Sequence, residues 1–214
     1  MTAYLDIILV ALILSDFILL GSGRLGNCIR IAAWQGIMVG LLPIATADAG
    51  FSFRIAALGI AVVVLKGFVF PRLLNRAIRE SASSREVKPF VGYTTSLLAG
   101  VLALSASFWL DGRLSFPLHL ESAIVVPVSL SMMFTGLFLV VARRTAVNQV
   151  IGYLVLENGI YALSLAIVRD VPFLVELGVL MDMFVAVFVM GIAIYRINME
   201  FDHMDSNRLA KLRG

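Results

Sequence analysis

The chain has 214 residues, of which 60% are hydrophobic and 14% are charged, and its mean hydropathy is +0.97. Soluble domains carry about 25% charged residues, so this composition argues against a soluble fold. The net charge is +3. Because the basic residues are scattered over several short loops and form no basic domain, we expect no nucleic-acid partner.

Seven apolar stretches predict transmembrane helices, because about 20 apolar residues cross a hydrocarbon core about 30 Å thick. In chain order they cover 3–21, 29–47, 54–72, 90–110, 121–141, 146–168 and 174–195. The second stretch contains Gly36, Gly40 and Pro43, which favour a bend or a break there. The predicted fold is an all-α, polytopic membrane protein with about seven transmembrane helices.

The distribution of Lys and Arg predicts the orientation, since cytoplasmic loops carry the excess of these residues. With the N-terminus outside, thirteen of them lie on the inner face and three, Arg54, Arg113 and Arg169, lie on the outer face. The C-terminus is therefore expected in the cytoplasm. Anionic lipid head groups are the expected neighbours of the basic inner loops.

The first predicted span differs from a signal peptide, because no basic segment precedes it and Asp6 and Asp16 interrupt the apolar run. We expect a retained helix. The lone Cys28 and the two histidines, His119 and His203, both outside the spans, offer no ligand set for zinc, haem or an iron–sulfur cluster. We therefore expect no metal and no cofactor in this chain.

Two carboxylates lie in the middle of predicted spans, Glu157 in the sixth and Asp182 in the seventh. A charge at this depth costs about 2.5 to 3.5 kcal/mol, so an intramembrane carboxylate indicates a proton or ion path. The short loop between these spans predicts antiparallel neighbours, with both carboxylates within about one turn of the same depth. A hydrogen-bonded or water-bridged pair is possible. Asp16, within about a turn of the inner boundary, is a weaker candidate.

A polar stripe accompanies Glu157 along the sixth span. Its members recur at spacings of four, four, four and three residues and therefore share one helix face: Gln149, Tyr153, Glu157, Tyr161 and Ser164. Such side chains can hold ordered water beside an ionisable group, as a proton relay needs. The alternative is that they join helices by hydrogen bonds.

On the seventh span, Gly178, Asp182 and Ala186 share a face on which another helix can approach the carboxylate closely. Lys66 stands in the third predicted span, six residues before Arg72 and about 9 Å deeper. Two alternatives stay open for Lys66: its long stem reaches the cytoplasmic head groups, or its amine is buried and exchanges protons.

Three segments resemble component E of the hydrogenase-4 type: RRTAVNQVIGYLVLENG (143–159), LVELGVLMDMFVAVFVMGI (174–192) and DSNRLAKLRG (205–214). The last hundred residues are also similar to the three-helix subunit K of respiratory complex I and to its counterpart in multisubunit cation/proton antiporters. Residues of this chain match the pattern of subunit K at Arg143, Arg144, Ile151, Gly152 and Glu157. By the same resemblance, Asp182 falls near a second membrane glutamate, and Lys66 corresponds to a lysine in the third span of component E.

The resemblance implies four N-terminal helices (1–115), a three-helix unit similar to subunit K (116–200) and a cytoplasmic tail (201–214). It implies an accessory, non-catalytic subunit of a group 4 nickel–iron hydrogenase or formate hydrogenlyase-like oxidoreductase complex in a prokaryotic inner membrane. Its expected partners are antiporter-like subunits, a membrane subunit resembling a quinone site and, indirectly, peripheral nickel–iron and iron–sulfur subunits. The implied function is to link the antiporter-like subunits and to relay protons through Glu157, Asp182 and Lys66. The polar stripe adds Tyr153 and Tyr161 to the expected relay. The alternatives are a subunit of a cation/proton antiporter and a structural scaffold.

Overall fold

The computed structural model describes residues 2–45, 53–80, 91–114, 122–143 and 145–167, and the single helical positions Gly178, Met181 and Gly191. Within these ranges the chain is all-helical, as predicted. The elements are α1 (Thr2–Gly21), α2 (Leu25–Ala45), α3 (Phe53–Val64), a π-helical segment (Leu65–Val69), α4 (Phe70–Glu80), α5 (Tyr93–Asp111), α6 (Val125–Ala142) and α7 (Ala146–Ile167).

Four of these helices contain stretches that are long and apolar enough to cross a membrane. The stretches are Tyr4–Gly21, Leu25–Pro43, Tyr93–Asp111 and Val125–Ala142. Large apolar side chains of α5 remain exposed, including Leu102 and Trp109, as expected where lipid or a partner covers a helix. Seven spans, the orientation and the three-part division remain predictions. Most of the predicted seventh span, including Asp182, lies outside the described residues.

The second span is not broken, because α2 runs without interruption from Leu25 to Ala45 and contains Pro43 near its end. The bend stays a prediction. Gly36 and Gly40 serve close packing. A Cβ atom added at Gly40 would lie 2.8 Å from Val63 Cγ2 and 3.1 Å from Val63 N. The missing side chain thus allows α2 to contact α3 directly.

The third predicted span, 54–72, is interrupted rather than uniformly α-helical. At Leu65–Val69 the helix widens to a π-helix, and the N–H of Phe70 donates to the carbonyl oxygen of Leu65, five residues earlier. The chain then continues as α4 to Glu80. Single π-helical turns are rare and occur often at functional sites.

Two apolar clusters fill the interior of the helix bundle. The first apolar cluster includes Leu19, Leu20, Leu25, Cys28, Ile29, Ala32, Phe70, Leu74, Leu139, Val150, Ile151, Leu154 and Val155. The second apolar cluster includes Leu5, Leu9, Leu12, Val39, Leu42, Val62, Val125, Val126, Val128, Met132, Tyr161, Ala162 and Leu165. Each cluster takes residues from one half of α1, α2, α6 and α7.

Between the two clusters, each of these helices carries buried polar residues at intermediate positions. We call them the polar layer: Ser15, Asp16, Gln35, Lys66, Thr135, Glu157 and Asn158. Along α7, for example, Val155 belongs to the first cluster and Tyr161 to the second, with Glu157 between them. Apolar packing therefore encloses the polar layer on both sides.

Helices α6 and α7 pack most closely, through glycines on their facing sides. A Cβ atom at Gly152 would lie 2.8 Å from the backbone nitrogen of Val140 and 2.9 Å from the carbonyl oxygen of Gly136. At Gly159 it would lie 2.8 Å from the backbone nitrogen of Met133. These backbones touch because no side chain separates them, and the contact fixes the depth at which Glu157 lies.

A buried arginine joins α1 to the connection between α6 and α7. Arg143 Nη2 donates to the carbonyl oxygen of Leu20 at 2.9 Å, near the C-terminus of α1. Its guanidinium also lies over the ring of Tyr93, 5.6 Å from the centroid. Burial lowers the pKa of Arg143 from its ordinary value, because the charged form loses its hydration.

We expect Gly152→Ala to destabilise the protein, because the added Cβ meets backbone atoms and the two helices must move apart. The expected cost is about 1 to 3 kcal/mol, as for other overpacked interiors. Gly26→Ala is the matched control, since a Cβ there meets nothing within 4 Å. Thermal unfolding of the detergent-solubilised protein measures both. Equal unfolding midpoints for the two variants would contradict this packing.

Candidate functional site

The centre of the polar layer is an ion pair between the π-helical segment and α7. Lys66 Nζ lies 3.0 Å from Glu157 Oε1, and the two side chains are only 4% and 6% exposed. The same ammonium donates to Asn158 Oδ1 at 3.0 Å. Of the two alternatives for Lys66, the structure therefore shows the buried amine and not the side chain that reaches the head groups.

Close packing by α2 keeps Lys66 away from solvent. Gly36 lies directly against it: an added Cβ would overlap with Lys66 Cβ and come within 3.3 Å of the Lys66 carbonyl carbon. The π-helical turn places Lys66 in this contact with α2 and in hydrogen-bond range of α7. A glycine and an irregular helical turn thus position the amine.

The pair is held together because each charge would be costly alone. A buried unpaired charge loses its hydration without compensation, whereas a paired and hydrogen-bonded one is tolerated. Glu157 Oε1 accepts from Lys66, but Glu157 Oε2 is buried and has no hydrogen-bond partner among the residues described. This oxygen is an open acceptor in an otherwise closed site.

The two tyrosines of the predicted stripe lie on either side of Glu157 along α7. Tyr161 is buried in the second apolar cluster, and its hydroxyl finds no hydrogen-bond partner within the described ranges. Tyr153 is half-buried and packs against the first apolar cluster. Gln149 is exposed, and its Nε2 donates to the carbonyl oxygen of Arg143 at 3.4 Å. The stripe is therefore enclosed at Glu157 and Tyr161 and exposed at Gln149.

The predicted partnership of Glu157 with Asp182 is not described, because Asp182 lies outside the described residues. One neighbouring contact is described: a Cβ added at Gly178 would lie 3.6 Å from Tyr161 Cδ2. At this position the chain after α7 touches α7, in keeping with the predicted contact between the sixth and seventh spans. The pairing of Glu157 with Asp182 stays a prediction.

Sequence reasoning missed four polar residues of the layer: Ser15, Gln35, Thr135 and Asn158. Gln35 Nε2 donates to Asp16 Oδ1 at 2.7 Å and to Ser15 Oγ at 2.9 Å, so these residues form a second polar group between α1 and α2. The available signal was an amide or hydroxyl within an apolar span, which needs a buried partner for the same reason as a charge does.

The groups in the layer can hold, donate and accept protons. In the part of the chain that the structure describes, no cluster of three or more His, Cys, Asp or Glu residues is suited to a metal ion. A carboxylate, an amine and phenol groups are the kinds of side chain that carry protons through a membrane interior.

A double-mutant cycle tests whether Lys66 and Glu157 stabilise each other. We expect Lys66→Met or Glu157→Met alone to lower the free energy of unfolding by about 3 to 5 kcal/mol, because each removes one partner of a buried ion pair and leaves the other charge in place. The double variant removes both charges and is expected to be more stable than either single variant. Unfolding in detergent measures all four proteins. Additive effects of the two substitutions would show that the pair is not coupled.

Comparison with known proteins gives no match to a family model and none to a solved structure. Among curated proteins, the chain is 32% identical over 206 residues to the uncharacterized protein Rv0085 of Mycobacterium tuberculosis, covering 94% of this chain and 92% of that protein. It is 26% identical over 152 residues to hydrogenase-4 component E of Escherichia coli K12, covering 71% and 70%. The component E of Shigella flexneri matches to the same extent. The chain therefore belongs to the same family as Rv0085, with hydrogenase-4 component E as a more distant relative.

Proposed function

We propose that this chain is a membrane-arm subunit of a hydrogenase-4-like complex, located in a prokaryotic inner membrane. The similarity to component E over 71% of the chain supports membership of such a multisubunit complex. The apolar helices support its place in the membrane. Because that relative is a hydrogenase component, we favour a hydrogenase-like assembly, including formate hydrogenlyase-like and complex I-like forms, over a cation/proton antiporter.

Within that complex, we propose that the chain relays protons through the polar layer. The observation that carries this proposal is the buried ion pair of Lys66 and Glu157, with Glu157 Oε2 open as an acceptor. Protonation of Glu157 would remove its negative charge and release the ammonium of Lys66. Loss of that proton would restore the pair. The pair therefore has two charge states that differ by one proton.

The tyrosines and Asp182 extend this proposed path along α7. Tyr161 is one helical turn from Glu157, its hydroxyl is buried, and Gly178 lies against its ring. Asp182 follows Gly178 by four residues, the spacing of neighbours on one helix face. Tyr153 is the corresponding neighbour one turn before Glu157. We propose that protons pass between Glu157 and Asp182 by way of these hydroxyls and intervening water.

A scaffold function is the second candidate, because the ion pair is closed and nearly inaccessible to solvent. A permanent salt bridge joins helices without moving protons. The two candidates differ in what happens when the pair is replaced by apolar residues of similar size. Such a replacement is often neutral or stabilising for the fold, whereas it eliminates a relay.

The proposed assembly predicts which proteins copurify with this chain. We expect a nickel–iron large subunit, iron–sulfur subunits and antiporter-like membrane subunits after affinity purification from gently solubilised membranes, identified by mass spectrometry. Recovery of cation-antiporter subunits without a nickel–iron subunit would favour the antiporter alternative. Recovery of the chain alone would contradict a function within a complex.

The proposed relay predicts that the Lys66→Met/Glu157→Met variant assembles but no longer supports coupling. We expect redox-driven proton uptake by inverted membrane vesicles to fall at least about tenfold, because a positioned proton carrier has been removed. Glu157→Gln is expected to have the same effect. Asp111→Asn is the matched control, since it neutralises a carboxylate at the end of α5, away from the polar layer.

Assembly of each variant is checked on native gels, so that loss of the complex is not mistaken for loss of coupling. If the assembled double variant takes up protons at the rate of the control, the relay is wrong and the scaffold function accounts for the pair.

A further inference from the structure

A second buried carboxyl lies in the polar layer, separate from the ion pair. Asp16 of α1 is only 2% exposed, and its Oδ1 accepts from Gln35 Nε2 of α2 at 2.7 Å. Two atoms of this contact are buried without a hydrogen-bond partner in the described ranges: Asp16 Oδ2 and Gln35 Oε1. Both are acceptors when the carboxyl is ionised, so neither can satisfy the other.

We propose that Asp16 and Gln35 form a proton-binding site, in which Asp16 is a neutral carboxylic acid. A proton on Asp16 Oδ2 can be donated to Gln35 Oε1, while Gln35 Nε2 donates to Asp16 Oδ1. One proton then satisfies both unpartnered oxygens and completes a reciprocal acid–amide pair. The contact consists of Ser15, Asp16 and Gln35. Among these three side chains, only protonation of Asp16 supplies a donor for the two unpartnered oxygens.

The orientation of the amide supports this assignment. Ser15 Oγ donates to the carbonyl oxygen of Leu12 at 2.6 Å, so it has no further hydrogen to give and accepts from Gln35 Nε2 at 2.9 Å. Both hydrogens of Nε2 are therefore used, one on Ser15 and one on Asp16. Turning the amide over would place its oxygen against Ser15 and lose this bond, so Oε1 remains the acceptor for an acid proton.

The surrounding charges do not favour an ionised Asp16. Lys66, the cation of the polar layer, is bound to Glu157 and Asn158. Arg143 approaches α1 one turn from Asp16, but it donates to the carbonyl oxygen of Leu20. Among the residues that the structure describes, no cation contacts Asp16. A carboxylate buried without a counter-ion is so costly that the group becomes neutral instead. The two carboxyl groups of the polar layer are therefore neutralised in different ways: Glu157 by an ion pair with Lys66, and Asp16 by a bound proton.

Helix α2 contacts both the proton-binding site at Asp16 and the Lys66–Glu157 ion pair of the proposed relay. Gln35 faces Asp16, and the next residue, Gly36, contacts Lys66. The proton-binding site and the ion pair therefore lie against adjacent residues of one helix. The assignment of Asp16 as a neutral acid does not rest on the proposed relay, because it follows from the hydrogen bonds between α1 and α2.

Infrared spectroscopy of the full chain, labelled with ¹³C-aspartate and reconstituted in liposomes, tests this site at neutral pH. We expect a carboxylic-acid C=O band that moves in D₂O and is lost in Asp16→Asn. Gln35→Leu is expected to move the band to higher frequency, because the acid loses its N–H donor. Asp6→Asn, which changes a carboxylate bound to Ser122, is expected to leave the band in place.

The Asp16→Asn amide can make the same two hydrogen bonds to Gln35, so we expect an unchanged unfolding midpoint. If the wild-type protein shows no acid band that Asp16→Asn removes, the proposed site is wrong. If Gln35→Leu folds and the band does not move, the acid–amide pair is wrong. Glu157→Gln should keep the band, so a failed relay and a failed Asp16 site give different results.

Discussion

The need to neutralise charge inside an apolar bundle governs this structure. Two apolar clusters enclose the polar layer, and within it the ammonium of Lys66 is bound by Glu157 and Asn158. A lysine or a glutamate in this environment would be strongly destabilising alone. The π-helical turn and the close contact with Gly36 bring these groups together, so local irregularities of the fold serve one electrostatic requirement.

Much of the architecture follows from the sequence because hydropathy reports membrane helices directly. The all-helical fold and the burial of the Glu157 carboxylate were predictable, because each can be read from a single apolar segment. The partner of Glu157 was not, because Lys66 is 91 positions away along the chain. Loop lengths indicate which consecutive helices touch, but the rotation of a helix about its axis depends on packing at residues such as Gly36.

Glycine explains the main error in the predicted elements. Gly36, Gly40 and Pro43 favoured a bend or a break in α2, yet α2 is unbroken, and the two glycines lie at contacts where a Cβ would collide with Lys66 or Val63. In membrane helices, small residues commonly permit close approach. The π-helical turn had no sequence signal that distinguishes it from an α-helix, because it depends on the same tertiary contacts.

The sequence relatives bear on the complex to which this chain belongs, whereas the geometry of the polar layer bears on what the chain does there. Similarity to Rv0085 covers nearly the whole chain, and the more distant similarity to hydrogenase-4 component E supports a place in a membrane complex. The polar layer supports a physical task within that complex, since it combines an ion pair with an open acceptor oxygen. In the proposed relay, a proton on Glu157 removes the negative charge that lies 3.0 Å from Lys66 Nζ.

The distance between the Lys66 amine and a glutamate carboxyl tests the central claim most directly. The chain has three lysines, so Lys88→Arg and Lys211→Arg leave one ¹⁵N-labelled Nζ for solid-state NMR with ¹³C-labelled glutamate. Since Nζ lies 3.0 Å from Oε1, we predict a measurable ¹⁵N–¹³C dipolar coupling to a carboxyl carbon within about 4 Å, which is lost in Glu157→Gln. An Nζ signal without such coupling, exchanging freely with water, would contradict the buried pair.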